Sequence, residues 1–248
     1  MRLLLLGGTA EARELAARLH PGTSIVSSLA GRVPDPALPV GPVRIGGFGG
    51  VAGLRQWLAD NDITAVVDAT HPFAATITAH AAQACDELAI PHLVLNRPPW
   101  DFAAAVQVNS DTEAADLVAA KGYSRVFLTT GRSGAVAFGG SDSWFLIRVV
   151  TAPDPAGLPR NHQLLVSRGP YRYDGESALL TDHRIEALVT KNSGGAMTEA
   201  KLCAAADLGV AVIMINRPPL PPGVTVRSSV DEVMEWVRRV ISPGSAAG

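Results

Sequence analysis

Residues 65–99 read AVVDATHPFAATITAHAAQACDELAIPHLVLNRPP, and residues 185–219 read IEALVTKNSGGAMTEAKLCAAADLGVAVIMINRPP. Asn96-Arg97-Pro98-Pro99 thus recurs as Asn216-Arg217-Pro218-Pro219, a shift of 120 residues. The same shift places Thr70 on Thr190, Leu88 on Leu208 and Ile90 on Val210, with no gap. Each copy holds a short apolar run, a helical pattern and a second apolar run, which is a strand–helix–strand unit. Offset slightly, Leu6-Gly7 finds a counterpart in Thr130-Gly131. The repeat implies two lobes of related topology, the first ending near residue 100, with the Pro-rich segment 98–101 as linker.

Working outward, apolar runs bounded by Gly, Pro or Thr predict strands at 2–6, 24–28, 43–45, 65–69 and 92–96 in the first lobe. In the second they predict strands at 125–129, 144–148, 163–167, 187–190 and 211–216. Helical patterns fall between them at 11–19, 54–59, 72–88, 112–120, 196–208 and 230–241. Such alternation means a parallel sheet with helices on both faces. The expected fold is α/β: two Rossmann-like lobes with mainly parallel sheets and a ligand cleft between them, where open α/β sheets bind ligands. The domains are placed at 1–98 and 99–248, and the final helix after Ser229 can pack on either lobe.

Composition supports this class. The chain has 248 residues, 47% hydrophobic and 18% charged, so a sizeable core is expected. Aromatic content is 5%, which leaves the core to Leu, Val, Ile and Ala. The net charge of −2 argues against nucleic acid as partner, because phosphate contacts leave a basic surface. No apolar run approaches the roughly 18 residues of a membrane span. MRLLLL at residues 1–6 has only four leucines before Gly7-Gly8, so it reads as a buried first strand rather than a signal peptide. Cys85 and Cys203 lie far apart, with no CxxC and no zinc-ligand spacing. Both read as buried thiols of a reducing, cytoplasmic compartment, and no metal site is expected.

The first strand runs into Gly7-Gly8-Thr9-Ala10-Glu11-Ala12, a degraded form of the dinucleotide fingerprint carried by Gly7, Thr9 and Ala12. Gly7 makes the tight turn and Ala12 permits close helix–strand packing. Thr9 limits backbone approach to a pyrophosphate, and its hydroxyl either donates to that phosphate or caps the helix. A site for NAD carries Asp or Glu about 20 residues beyond the glycines. Residues 15–34 contain no carboxylate; instead Ser27-Ser28-Leu29-Ala30-Gly31-Arg32 stands there. Two hydroxyls and a guanidinium suit a 2′-phosphate, so NADP is favoured. Gly46-Gly47-Phe48-Gly49-Gly50 follows a short strand and reads either as a ligand loop or as a flexible hairpin. After Asp68-Ala69-Thr70 comes His71-Pro72-Phe73-Ala74, with Pro72 suited to a first helical turn. Asp68, Thr70 and His71 are expected at a strand end facing the cleft. His71 is a proton donor, a substrate-orienting group or a helix cap, and Phe73 packs on a nicotinamide or in the core.

Together these motifs resemble the precorrin-6A reductase family. The likeness rests on Gly7-Gly8-Thr9, Glu11-Ala12-Arg13, Ser28-Leu29-Ala30-Gly31-Arg32, the Gly46 to Gly50 loop and Asp68-Ala69-Thr70-His71-Pro72-Phe73-Ala74. It continues through Asn96-Arg97-Pro98-Pro99-Trp100, Thr130-Gly131-Arg132 and Thr190-Lys191-Asn192-Ser193-Gly194-Gly195, to about residue 219. The resemblance implies NADPH-dependent reduction of one double bond of precorrin-6A to give precorrin-6B in cobalamin biosynthesis, or of the cobalt-loaded macrocycle in a related branch. It implies no metal or flavin. Cofactor contacts then fall on Gly7, Gly8, Thr9, Glu11, Ser28, Arg32, Gly47, Phe48, Thr70 and Phe73. Catalytic roles fall on His71 and Thr70. Substrate contacts fall on Arg132, Lys191, Asn192, Ser193 and Gly194.

The residues agree with that reading. An anionic tetrapyrrole-derived macrocycle needs basic groups, and Arg97, Arg132, Arg148, Arg168, Lys191 and Arg217 recur near strand ends. Thr190-Lys191-Asn192-Ser193-Gly194-Gly195 follows a predicted strand and opens a predicted helix, an anion-binding geometry. Hydride transfer needs orientation and dryness more than side-chain chemistry, and no residue declares itself the proton donor. A short-chain dehydrogenase would need Tyr-x-x-x-Lys, but Tyr123, Tyr171 and Tyr173 are followed four on by Phe127, Gly175 and Ser177. The other alternative is a non-catalytic nucleotide-sensing module, which needs no basic second lobe.

Overall fold

The computed structural model describes residues 2–31 and 36–241. The chain divides into two compact units, one running to Arg97 and resuming at Pro218, the other spanning Pro98–Arg217. Each holds one six-stranded sheet, and every strand pair in both sheets is parallel.

The first unit is built from β1 (Arg2–Leu6), α1 (Ala10–Leu19), β2 (Ser24–Leu29), β3 (Val43–Ile45), α2 (Gly50–Asp60), β4 (Ala65–Asp68), α3 (Ala75–Glu87) and β5 (His92–Leu95). In the second lie β6 (Val106–Val108), α4 (Asp111–Lys121), β7 (Arg125–Leu128), α5 (Gly131–Ala135), β8 (Trp144–Val149), β9 (His162–Val166), α6 (Tyr173–Asp182), β10 (Ala187–Lys191), α7 (Ala200–Asp207) and β11 (Ala211–Ile215). The chain then returns to the first unit with β12 (Thr225–Arg227) and α8 (Val230–Ile241). The strand orders are β12-β5-β4-β1-β2-β3 and β6-β11-β10-β7-β8-β9.

These two orders are the same order with the sixth strand exchanged. β6 follows β5 in sequence but pairs with β11, and β12 follows β11 but pairs with β5. The crossings fall after Arg97 and after Arg217, inside the two Asn-Arg-Pro-Pro motifs. The helices beyond them begin alike. Ser110 Oγ accepts from the Glu113 N–H, and Ser229 Oγ accepts from the Glu232 N–H. In the second case the Glu232 carboxylate accepts from the Ser229 N–H in return, which completes a capping box.

Of the span expected for the second domain, 99–248, the residues from Pro218 onward group with the first unit, and the final helix, expected on either lobe, packs on the first. Strand β12 extends the first sheet, and Val230, Val233, Met234 and Val237 of α8 bury an apolar stripe against Leu15 and Leu19 of α1. Edge strands β6 and β12 have only three residues each and were not expected from sequence. Nor were the short helix α5 and helix α6, whose residues carry little apolar periodicity. Cys203 is exposed on α7, against expectation, whereas Cys85 is buried.

Strand β1 shows why a run of leucines makes a central strand. Leu3 and Leu5 enter the layer formed with α1 and α8, while Leu4 and Leu6 enter the layer with α2 and α3. A strand buried on both faces reads as continuous apolar sequence. In the second unit Phe127, Leu146, Leu188 and Met214 play the same part beneath α6 and α7. Among the described residues, five helices end in one motif, with a residue at positive φ closing the last turn: Asp62, Ala89, Gly122, Arg184 and Gly209. For α3, Ile90 N–H donates to the Cys85 carbonyl and Ala89 N–H to that of Asp86. For α7 the same bonds join Val210 to Ala205 and Gly209 to Ala206.

Candidate functional site

In the first unit the candidate residues collect at the carboxyl ends of β1, β2, β3 and β4. Gly7 N–H donates to the Ser28 carbonyl at 3.0 Å, tying the first loop to β2. A Cβ on Gly7 would stand 3.4 Å from that of Ala12, so helix and strand pack closely there. Gly8 has φ of 114° and open space around it. Thr9 caps α1: its Oγ1 accepts from Ala12 N–H at 3.1 Å and donates to the Ala69 carbonyl at 2.7 Å. The hydroxyl's one hydrogen is therefore spent within the lobe, and a phosphate here would meet backbone N–H groups and the helix dipole instead. Glu11 is paired with Arg97 at 2.8 Å. With Thr9, Ala69, Thr70, Pro72 and Leu95 they line a recess of about 10 Å³, room for one water.

Asp68 does not face outward as expected. It is 1% exposed, because β4 is buried on both faces. Its Oδ1 accepts from the N–H of Thr70 at 3.0 Å and from the Thr70 hydroxyl at 2.6 Å, while Oδ2 meets no hydrogen-bond donor among the described residues. Burial, with Asp68 adding to it, pushes the Cys85 thiol up to about 12. Burial also holds the His92 imidazole below its ordinary value, against the opposing pull of Asp68. His71 is exposed and its Nδ1 accepts from Phe73 N–H at 3.3 Å, with the two rings tilted at 5.8 Å. This turn delays helix α3 to Ala75, three residues beyond the expected start at Pro72.

The glycine loop opens directly into α2. Built Cβ atoms on Gly46, Gly47, Gly49 and Gly50 would meet nothing within 4 Å. Arg44, a residue the sequence reading passed over, organises the loop. It donates to the Gly46 and Gly47 carbonyls at 2.6 Å each and to Ser28 Oγ at 3.3 Å. Its guanidinium lies 3.8 Å from the centre of the Phe48 ring, which packs edge-on against Trp57. Arg32 lies outside the described residues.

In the second unit, Lys191 ends β10 with Nζ 3.8 Å from Asp111 Oδ2. Asp111 Oδ1 and the hydroxyl of Thr130 are buried without hydrogen-bond partners among the described residues. Both press on Gly134, where a Cβ would come within 2.4 and 2.5 Å of them. Asn192 is buried and committed to structure. Its Oδ1 accepts from Trp100 N–H at 2.8 Å and its Nδ2 donates to the Trp100 carbonyl at 3.2 Å. Trp100 Nε1 donates to the Gly195 carbonyl, and Arg217 Nε to that of Asn192. Gly194 sits at φ of 65°, and a Cβ there would stand 2.1 Å from the Pro98 carbonyl oxygen, so only glycine fits. Ser193 Oγ donates to the Lys191 carbonyl at 3.3 Å.

This loop does not open a helix directly. Gly194 and Gly195 both have positive φ, which no right-handed helix holds, and α7 starts only at Ala200 after a short 3-10 turn. The basic set expected at strand ends is largely spent internally. Arg97 pairs with Glu11, Arg217 binds the carbonyls of Asn192 and Pro98, and Arg148 is 7% exposed against Glu176. Arg132, on α5, is exposed.

Two parallel six-stranded sheets with a glycine-rich loop at the head of the first define a two-lobed Rossmann-like protein. The family model "Precorrin-6x reductase CbiJ/CobK" matches residues 2–238, and the chain belongs to that family. A curated relative, "Precorrin-6A reductase" of Mycobacterium tuberculosis (strain ATCC 25618 / H37Rv), is 69% identical over 236 residues, covering 95% of this chain and 97% of the relative. A solved structure titled "CobK precorrin-6A reductase" superposes with a TM-score of 0.90 at 37% identity, covering 97% of each chain. A more distant relative, "Cobalt-precorrin-6A reductase" of Methanothermobacter thermautotrophicus (strain ATCC 29096 / DSM 1053 / JCM 10044 / NBRC 100330 / Delta H), is 29% identical over 97% of this chain and 85% of its own.

Proposed function

We propose that this chain uses NADPH to saturate one double bond of precorrin-6A, giving precorrin-6B, and that it prefers the metal-free macrocycle to the cobalt-loaded one. The observation that carries the reading is the 69% identity, across 95% of the chain, to a protein named for precorrin-6A. Identity to relatives named for the cobalt substrate is 26–29%.

The first lobe has the features a dinucleotide needs: open glycine backbone at Gly8, Gly46 and Gly47, a capped helix N-terminus at Thr9, and Ser28 beside a guanidinium. Bound NADPH supplies the hydride. The protein's own task is to orient and to exclude water. Gly7, Gly8, Thr9, Glu11, Ser28, Arg32, Gly47, Phe48 and Phe73 are assigned to the cofactor, and Thr70 and His71 to the reacting end. Lys191, Ser193 and Arg132 are assigned to carboxylates of the macrocycle. Asn192 and Gly194 serve that loop by shaping it. Among the described residues no helix is long and apolar enough to cross a membrane. A biosynthetic reductase with unpaired thiols at Cys85 and Cys203 fits the cytoplasm.

The test is NADPH oxidation by the purified chain, supplied in turn with precorrin-6A and with its cobalt-loaded form. We expect turnover on the first with a higher kcat/KM than on the second, and weak activity with NADH. Turnover only on the cobalt form would reverse the substrate assignment, and none on either would end it.

A further inference from the structure

Arg97 and Arg148 each meet a carboxylate within the fold, Glu11 and Glu176 in turn. Arg44 is held otherwise. It is half-buried, yet its partners are the neutral carbonyls of Gly46 and Gly47, the hydroxyl of Ser28 and the face of Phe48. No carboxylate pairs with it among the described residues. Burial without an anion also holds its basicity below the ordinary arginine value.

A guanidinium has five N–H groups. Two on Nη1 go to Ser28 and Gly46, and one on Nη2 goes to Gly47. Among the described residues that leaves Nε–H and the second Nη2–H, the side-on edge that grips a carboxylate or phosphate through two parallel bonds. The Phe48 ring, 3.8 Å from the guanidinium carbon, and the bonds to Gly46 and Gly47 hold the group in place before any ligand arrives, so little freedom is lost on binding. Register places it: Ser28 is opposite Arg44 in the β2–β3 ladder, and the Ser28 carbonyl holds Gly7 of the first loop. In a dinucleotide fold the end of β2 is where the adenosine ribose lies, and there an acidic residue would take the 2′-hydroxyl. This chain has no carboxylate in residues 15–34.

We infer that Arg44 is a specificity-determining residue that reads the phosphomonoester on the adenosine ribose, with Ser28 beside it and Phe48 as its backing. The inference rests on the NADPH reading above and assigns part of the discrimination to a strand residue rather than to Arg32 alone. It needs no macrocycle to test. Adenosine 2′,5′-bisphosphate and adenosine 5′-monophosphate are titrated calorimetrically into the full chain, wild type and Arg44→Gln. Wild type is expected to prefer the bisphosphate. Arg44→Gln should weaken the bisphosphate about 10- to 100-fold, the range of a charge-assisted hydrogen bond, and leave the monophosphate nearly unchanged. Arg44→Lys should recover part of the loss, because the charge returns without the fork. Phe48→Leu, which keeps Arg44 but removes its backing, should give a smaller selective loss. Equal weakening of both nucleotides in Arg44→Gln would make Arg44 a loop brace and overturn the inference. An unchanged bisphosphate affinity would overturn it too. A wild type with no preference for the bisphosphate would instead bring down the NADPH reading, and this inference with it.

Discussion

The buried pair Arg148–Glu176 offers a direct measure of what holds the second unit together. Glu176, on α6, is 2% exposed, and its carboxylate accepts from Arg148 Nη2 at 2.6 Å and Nη1 at 3.0 Å. Arg148 is covered by Tyr171 at 3.9 Å and Phe127 at 4.7 Å, and its Nε has no partner among the described residues. With an effective dielectric of about 20 and charge centres about 4 Å apart, the attraction is about 4 kcal/mol. Removing one partner leaves the other charge buried and unpaired, at a cost of about 3–5 kcal/mol. Glu176→Gln keeps the volume and one acceptor but loses the charge, so it should fall in that range. Arg148→Met with Glu176→Leu removes both desolvated charges, and should come within about 1 kcal/mol of wild type or exceed it. Urea unfolding should be run near pH ~8.5, where Lys201, with its value of about 7, is mostly neutral and does not confuse the comparison. Trp100 and Trp144 report on this unit by fluorescence. A single variant within about 1 kcal/mol of wild type, or a double variant no better than the single, would refute the reasoning.

Two further outcomes follow from local geometry. Lys201 is 3% exposed, above the Trp100 ring at 4.2 Å, and burial depresses it to about 7 from an ordinary 10.5. Between those values the unfolded chain holds a proton that the folded chain lacks, so stability should rise with pH by up to about 1.4 kcal/mol per unit; below about 7 both states are protonated and the burial cost stands in full. Lys201→Met should flatten that rise in urea midpoints measured across the window, and parallel curves for the two proteins would contradict it. Ala89 is exposed at φ of 52°, where its repeat partner is Gly209 at 67°. Left-handed backbone costs alanine about 1–2 kcal/mol, partly offset by the looser unfolded state of glycine, so Ala89→Gly should stabilise by about 0.5–1 kcal/mol in thermal unfolding. A loss of stability would show that the turn tolerates alanine without strain.

The site was only partly legible in the sequence, and the reason is chemical. A glycine's backbone demand is local: Gly8, Gly46 and Gly194 all hold positive φ, and Gly194 is also pressed against the Pro98 carbonyl. Polar residues are read badly, because their partners are distant. Asn192 looks like a ligand residue until Trp100, 92 positions away, takes both ends of its amide. Thr9 looks like a phosphate donor until the Ala69 carbonyl takes its hydrogen. Arg148 looks like part of a basic cleft until Glu176 neutralises it. Arg44 and Asp111 were overlooked for the converse reason. Each sits one step outside a recognisable motif, the first on the strand before the glycine loop and the second at the start of a helix from another part of the chain.

The two-lobed plan was legible in the repeat, and what the repeat left open is instructive. A shift of 120 residues was enough to infer two lobes, because strand–helix–strand units keep their length when their core layers are kept. It was not enough to place the chain after each Asn-Arg-Pro-Pro motif. Proline at 98 and 218 removes backbone donors and bars a helix, so each motif must end its unit in extended chain. Nothing in a three-residue strand such as Val106–Val108 or Thr225–Arg227 says which sheet it joins. That choice is made by the helix behind it. The stripe Val230, Val233 and Val237 fits the face of Leu15 and Leu19, and α4 instead buries Ala114 and Val118 in the other unit. Each unit therefore lacks its own sixth strand in sequence and holds its sibling's in space. Deleting the residues from Pro218 onward takes an edge strand and a core helix from the first unit, although they lie beyond the second in the chain.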